Sequence, residues 1–168
     1  LNETNIILAL DPSSSVCGYA VATFNEKLLD AGMIRPSPKL VSAMLRMDQI
    51  ILDVIDLANE VKPDVILIEM PGGKVHGRIK GKGHGLSTYG VACGRIYEAI
   101  ARTLPESYLL PVLESEWTAN TPKAKRAQIV AMKWRQINVD ADRGLDACDA
   151  AGLLLWFLNK HKVANLTA

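Results

Sequence analysis

The spacing of apolar and polar positions divides the chain into short β-like runs and longer helical ones. Asn5 to Leu10 is an apolar run rich in Ile and Leu, and Asp11-Pro12-Ser13 ends it, which predicts a buried strand closed by a turn. Gly18 to Phe24 is a second β-like run, followed by polar Asn25-Glu26-Lys27, and Leu28 to Ile34 is a third. Three short strands joined by tight turns predict an antiparallel meander. The period then changes. After Pro38, the residues Leu40, Met44, Met47, Ile51, Val54 and Ala58 recur every three or four positions, as on one face of an amphipathic helix, and Lys62-Pro63 stops it. Asp64 to Met70 holds the continuous aliphatic stretch Val65-Ile66-Leu67-Ile68, the pattern of a strand covered on both faces. Thr88 to Thr103, Lys123 to Trp134 and Leu145 to Lys160 predict three more helices. Leu109 to Leu113 predicts another strand, although Pro111 interrupts it. This order predicts an α/β fold: a mixed five-stranded sheet, made of a three-stranded antiparallel meander plus parallel strands, flanked by helices. No internal repeat or linker divides the chain, so residues 1–168 are expected to form a single domain.

One segment fits neither period. Residues 72–85 carry Gly72, Gly73, Gly77, Gly81, Gly83 and Gly85, interleaved with Lys74, His76, Arg78, Lys80, Lys82 and His84. Such a sequence cannot build a core, and a mobile Gly/basic loop is expected there.

Composition narrows the class. With 49% hydrophobic and 22% charged residues the chain is globular rather than disordered, and its few aromatics imply an aliphatic core. Cys17, Cys93 and Cys148 are widely spaced and odd in number, which argues against a disulfide framework or a zinc site and for reduced thiols in a cytoplasmic protein. The polar turn from Asp11 to Ser15 breaks the first apolar run, so no signal peptide is expected. Ala150 to Leu158 is too short to span a bilayer, so no membrane partner is expected. The formal net charge of +1 says little about partners, but its distribution says more.

Four acids stand where acids are unusual. Asp11 follows one apolar strand and Glu69 closes another. Asp146 and Asp149 lie three apart at the start of the most apolar helix, on one face of it. Taken singly, each has an ordinary explanation: Asp11 fits the Pro12 turn and Asp146 fits a charge at a helix N-terminus. Taken together, two acids at strand ends and two on one helix face suit a metal centre, because like charges brought together cost energy that a cation removes. Oxygen-only ligands suit Mg²⁺, with Mn²⁺ as a substitute. Two such ions about 3.5–4 Å apart serve phosphodiester hydrolysis.

These residues also carry a resemblance. Ile7 to Ala22 (ILALDPSSSVCGYAVA), Ile68-Glu69, Tyr89-Gly90-Val91-Ala92-Cys93-Gly94-Arg95 and Asp146-Ala147-Cys148-Asp149-Ala150-Ala151 resemble, in order, the motifs of the RuvC-type Holliday junction resolvases. The resemblance implies an RNase H-like fold and catalytic, metal-binding acids at Asp11, Glu69, Asp146 and Asp149. It also implies two Mg²⁺ per site and a homodimer that cuts symmetric strands of a four-way DNA junction. The chain departs from the family pattern in three places. Ser13 stands where the family usually has Gly. No Phe, Tyr or Trp occurs between Met70 and Thr88, where the family often has an aromatic wedge. After the penultimate strand Trp117-Thr118 comes first, and the nearest bases are Lys123, Lys125 and Arg126.

Two stretches lack acids and are rich in bases. Met70 to Tyr97 holds Lys74, Arg78, Lys80, Lys82 and Arg95, and Trp117 to Val139 holds Lys123, Lys125, Arg126, Lys133 and Arg135, if Trp117 is taken as the start. Basic tracts beside an acidic site suit phosphate contacts. The residues expected at DNA are Lys74, His76, Arg78, Lys80, Lys82, His84, Arg95, Lys123, Lys125 and Arg126. Lys133 and Arg135 read as a solvated face, Trp134 and Trp156 as core or dimer interface, and Met44 and Met47 as core. The favoured reading is a branched-DNA endonuclease without a small-molecule substrate, with a phage source preferred to a bacterial one. The alternatives are a ribonuclease cutting RNA–DNA hybrids, a non-catalytic junction-binding protein, and an ATPase of the actin and sugar-kinase type, for which the second phosphate-binding hairpin is not found.

Overall fold

The computed structural model describes residues 2–72 and 83–166. Strands β1 (Ile6–Pro12), β2 (Cys17–Thr23) and β3 (Leu28–Ile34) are followed by α1 (Ala43–Val61), β4 (Val65–Met70), α2 (Gly83–Thr103), β5 (Tyr108–Leu113), α3 (Glu114–Thr118), α4 (Lys123–Lys133) and α5 (Asp146–Leu166). The five strands form one sheet in the order β3-β2-β1-β4-β5. The meander is antiparallel, and β1, β4 and β5 run parallel. The expected mixed sheet is therefore present. Pro111 lies in edge strand β5, where its missing N–H breaks no second ladder.

Alternation along the central strands sorts side chains to two cores. Ile7 and Ala9 of β1 and Val65 and Leu67 of β4 face one way, against Cys148, Ala151, Leu154 and Leu158 of α5 and Trp117, Ala127 and Val130 of α3 and α4. Leu8, Leu10, Ile66 and Ile68 face the other way, against Ile50, Val54 and Ala58 of α1 and Ile96 and Ile100 of α2. Both faces of β1 and β4 are thus dry, which accounts for their continuous apolar sequence. Helix α5 is apolar around most of its circumference because it is packed between the sheet and the α3–α4 segment.

Several boundaries and placements differ from the sequence reading. Helix α1 starts at Ala43, not at Pro38, so its buried stripe is Met47, Ile50, Val54 and Ala58. Met44 falls in the first turn and is 50% exposed, so it is not core, whereas Met47 is. Trp134 is buried against the α5 side of the sheet, and its indole N–H donates to the Glu26 carbonyl at 2.9 Å. Helix α2 begins at Gly83, so residues 83–85 belong to it and not to the expected loop. The rest of that loop, with Lys74, His76, Arg78, Lys80 and Lys82, lies outside the described residues, as does the side chain of His84. Helix α3 had no counterpart in the sequence reading, because five residues are too few to show a helical period. Among the described residues, no helix is long and apolar enough to cross a membrane.

Candidate active site

The same alternation that builds the core places the acids. Asp11 continues the Ile7–Ala9 row of β1, and Glu69 continues the Val65–Leu67 row of β4. Leu10 pairs with Ile68 in parallel register, so Asp11 and Glu69 stand side by side at the carboxyl ends of adjacent strands, on the face covered by α5. Helix α5 presents Asp146 and Asp149 from its first turn to the same place. Asp11, Glu69, Asp146 and Asp149 line one cavity of about 420 Å³, together with Ser13, Tyr89, Glu114, Lys123 and Arg126.

Two local devices set the start of α5. Gly18 of β2 pairs with Asp11 and faces the helix. A Cβ there would lie 2.0 Å from the Asp146 carbonyl oxygen, so the close approach of α5 requires glycine. Asp142, which is buried, accepts the backbone N–H of Asp146 at 3.0 Å and of Cys148 at 2.9 Å. It satisfies two of the N–H groups that a helix N-terminus leaves without intrahelical partners. Leu145 takes a left-handed φ of 55° to make this entry. At the β1–β2 turn, Ser13 closes the loop through its own side chain: Oγ donates to the Val16 carbonyl at 2.8 Å and accepts the Val16 N–H at 3.1 Å. The turn is thus held by a side-chain hydrogen bond that glycine could not supply.

Among the described residues, Glu69, Asp146 and Asp149 have side-chain hydrogen-bond or ion-pair partners in the protein. Glu69 is 6% exposed and accepts the Tyr89 hydroxyl on Oε1 and the Trp117 indole N–H on Oε2, both at 2.8 Å. Asp149 is 5% exposed; its Oδ1 accepts Arg126 Nε at 3.0 Å and Nη2 at 2.8 Å, and its Oδ2 lies 3.0 Å from Lys123 Nζ. Lys123 also reaches Asp146 Oδ1 at 3.3 Å. Burial, followed by the charges of Glu69, Asp149 and Asp146, pushes the Asp11 carboxyl well above the usual range, and Lys123 only partly offsets this. Burial likewise raises Glu69, against the hydrogen bonds from Tyr89 and Trp117. Lys123 is raised because Asp149, Asp11 and Asp146 outweigh the burial that opposes its charge. Burial and the surrounding carboxylates therefore disfavour the ionised form of Asp11.

The donor set is chemically right for a hard divalent ion: carboxylate oxygens around a polar cavity, with a buried acid repelled by its neighbours. The side chains do not stand as a formed cage. Among the described residues, no three of His, Cys, Asp and Glu are placed to hold one ion, and Glu69, Asp146 and Asp149 each face protein donors.

The remaining sequence candidates are dispersed. Arg95 pairs with Asp48 of α1, in the layer on the opposite side of the sheet from α5. Lys125 is exposed on α4, whereas Lys123 and Arg126 line the cavity. The sequence pattern does not mark Tyr89, Trp117, Glu114 or Asp142 as site residues, although Tyr89 opens the Tyr89–Arg95 motif and all four contact or line the site or set its entry. The three cysteines are free and buried. Burial pushes the thiols of Cys93 and Cys148 up to about 12, which makes them poor nucleophiles.

The sequence is 29% identical over 161 residues to the crossover junction endodeoxyribonuclease RuvC of Vibrio vulnificus, covering 94% of this chain and 89% of that one. It is 27% identical to the same enzyme of Aliivibrio salmonicida, with the same coverage. The chain resembles the RuvC-type Holliday junction resolvases. No protein-family model matches it. The fold is that of Thermus thermophilus RuvC in complex with a Holliday junction, with a TM-score of 0.69 at 18% identity over 90% of this chain and 91% of that one. The yeast mitochondrial Holliday junction resolvase Ydc2 aligns with a TM-score of 0.55 at 17% identity, over 94% and 83% of the two chains. The similarity in sequence is to junction-resolving nucleases, and the mixed sheet flanked by helices is the RNase H-like fold of RuvC.

Proposed function

We propose that this chain is a metal-dependent endonuclease that resolves four-way DNA junctions by paired, symmetric nicks. The observation that carries the reading is the convergence of Asp11, Glu69, Asp146 and Asp149 on one cavity, from two strand ends and one helix start. Asp11, Glu69 and Asp146 are the acids to hold Mg²⁺ or Mn²⁺, with Asp149 joining them through Oδ2 once Lys123 turns toward phosphate, while Arg126 keeps Oδ1. Two bound ions would supply an activated water and charge stabilisation at the leaving oxygen. Within that scheme Asp11, whose charge is disfavoured by burial and by the neighbouring carboxylates, gains from a cation. Lys123 and Arg126 provide positive charge beside the scissile phosphate, and Lys125 and the bases of residues 72–85 extend it along the backbone. Water adds at phosphorus as one P–O ester bond breaks, and the departing oxygen takes up a proton.

Cutting symmetric strands needs two sites related by a twofold axis, so the reading includes a homodimer. It also includes a single nuclease domain and a cytoplasmic setting, with which three buried free thiols agree. Metal removal tests it. Protein stripped with chelator should bind a labelled junction and leave it intact, and added Mg²⁺ should restore the nicks. Cleavage that persists in excess chelator would contradict the proposal.

A further inference from the structure

Trp117 occupies a place that its neighbours define closely. It lies in α3, is 7% exposed, and donates its indole N–H to Glu69 Oε2 at 2.8 Å. The guanidinium of Arg126 lies over its ring, 4.9 Å from the centroid, and holds Asp149 through Nε and Nη2 while Nη1 donates to the Thr121 carbonyl at 2.7 Å. The ring also rests on α5: a Cβ at Gly152, three residues after Asp149, would be 3.0 Å from its Cζ3 atom. One indole therefore touches the acid from β4 with its edge, carries the cation of the acid from α5 on its face, and packs against the backbone of α5.

We infer that Trp117 is a positioning residue for the metal site, fixing Glu69 directly and Asp149 through Arg126. The inference rests on the metal-site reading above and names the side chain that sets the spacing of two of its acids. The physical basis is preorganisation. A carboxylate with one oxygen held by a buried N–H keeps a single orientation, and its other oxygen remains for Tyr89 or an ion. Arg126 stacked on an aromatic face is likewise confined to the direction that meets Asp149. Without the indole, Glu69 would keep only the Tyr89 contact, and Arg126 would lose the surface that aims it.

Trp117→Phe keeps a ring beneath Arg126 and removes the N–H. Calorimetric titration with Mn²⁺ should show affinity lowered by about ten- to a hundredfold, as for loss of a partner that orients a metal ligand. Junction affinity in chelator should stay unchanged. A second measurement uses the unmodified protein. In a Mg²⁺ titration followed by ¹⁵N NMR, the Trp117 indole resonance, assigned by elimination with Trp134→Phe and Trp156→Phe, should shift saturably, and that of Trp134 should not. Unchanged Mn²⁺ affinity in folded Trp117→Phe overturns the inference, as does an indole resonance indifferent to Mg²⁺. A wild-type protein that binds no Mn²⁺ overturns the metal reading itself and this inference with it.

Discussion

Asp146→Asn should bind a four-way junction as tightly as the wild type and lose cleavage by more than about a hundredfold. Loss of a residue that only orients a ligand costs about 10–100-fold, and loss of a ligand itself should cost more. The substitution keeps the shape and leaves the backbone of α5 untouched. Asp142 still accepts the Asp146 N–H, and Gly18 still receives the Asp146 carbonyl. It also takes one negative charge from a site in which Asp11 is raised partly by Asp146, so stability should hold or rise slightly. Gel-shift binding in chelator, cleavage in Mg²⁺ and a melting curve separate the possibilities. Collapse of the fold would show that Asp146 is structural, and retained cleavage would remove it from the machinery.

Gly18→Ala should damage both fold and site. A Cβ placed 2.0 Å from the Asp146 carbonyl oxygen and 2.4 Å from its carbon meets backbone, which cannot swing aside as a flexible side chain can. Overpacking of this kind costs about 3 kcal/mol, and for a chain of this size that lowers Tm by about 6–12 °C. To relieve the contact, α5 must retreat from β2 and carry Asp146 and Asp149 away from Asp11 and Glu69. A misplacement of about 1 Å is enough to reduce turnover about a hundredfold. Gly94→Ala is the control, since nothing lies within 4 Å of a Cβ at that position and α2 is helical there. It should stabilise by about 0.5–1 kcal/mol. Equal melting temperatures for Gly18→Ala and the wild type would show that the approach of α5 to β2 does not depend on glycine.

How much of this was legible in the sequence follows from the kind of signal each residue carries. The sheet was readable because burial on both faces leaves an unbroken aliphatic run in β4, and because β3 kept its full length and boundaries. Asp11 and Glu69 stood out because each interrupts an apolar strand pattern in phase with the α5 face, and Asp146 and Asp149 because they share one turn of helix. Asp142 carried no such signal: its two hydrogen bonds depend on how the chain enters α5 through a left-handed Leu145. Trp117 meets Glu69 from 48 residues away, inside a helix too short to have a period. Lys123 and Arg126 were recognisable as bases near the site but expected at phosphate, and only the tertiary structure shows them paired with Asp146 and Asp149. Met44 fits the apolar period yet is exposed, because a helix period cannot tell where the helix leaves the sheet.

The most direct measurement is to incubate the protein with an end-labelled synthetic four-way junction, with and without Mg²⁺, beside linear duplex and an RNA–DNA hybrid. Paired nicks at symmetric positions in the junction, formed only with metal and with duplex and hybrid left intact, are the expected result. A cut hybrid beside an intact junction would keep the metal site and move the substrate to RNA. Tight junction binding with no cleavage of any strand in Mg²⁺ or Mn²⁺ would contradict the central claim that the four acids form a catalytic centre.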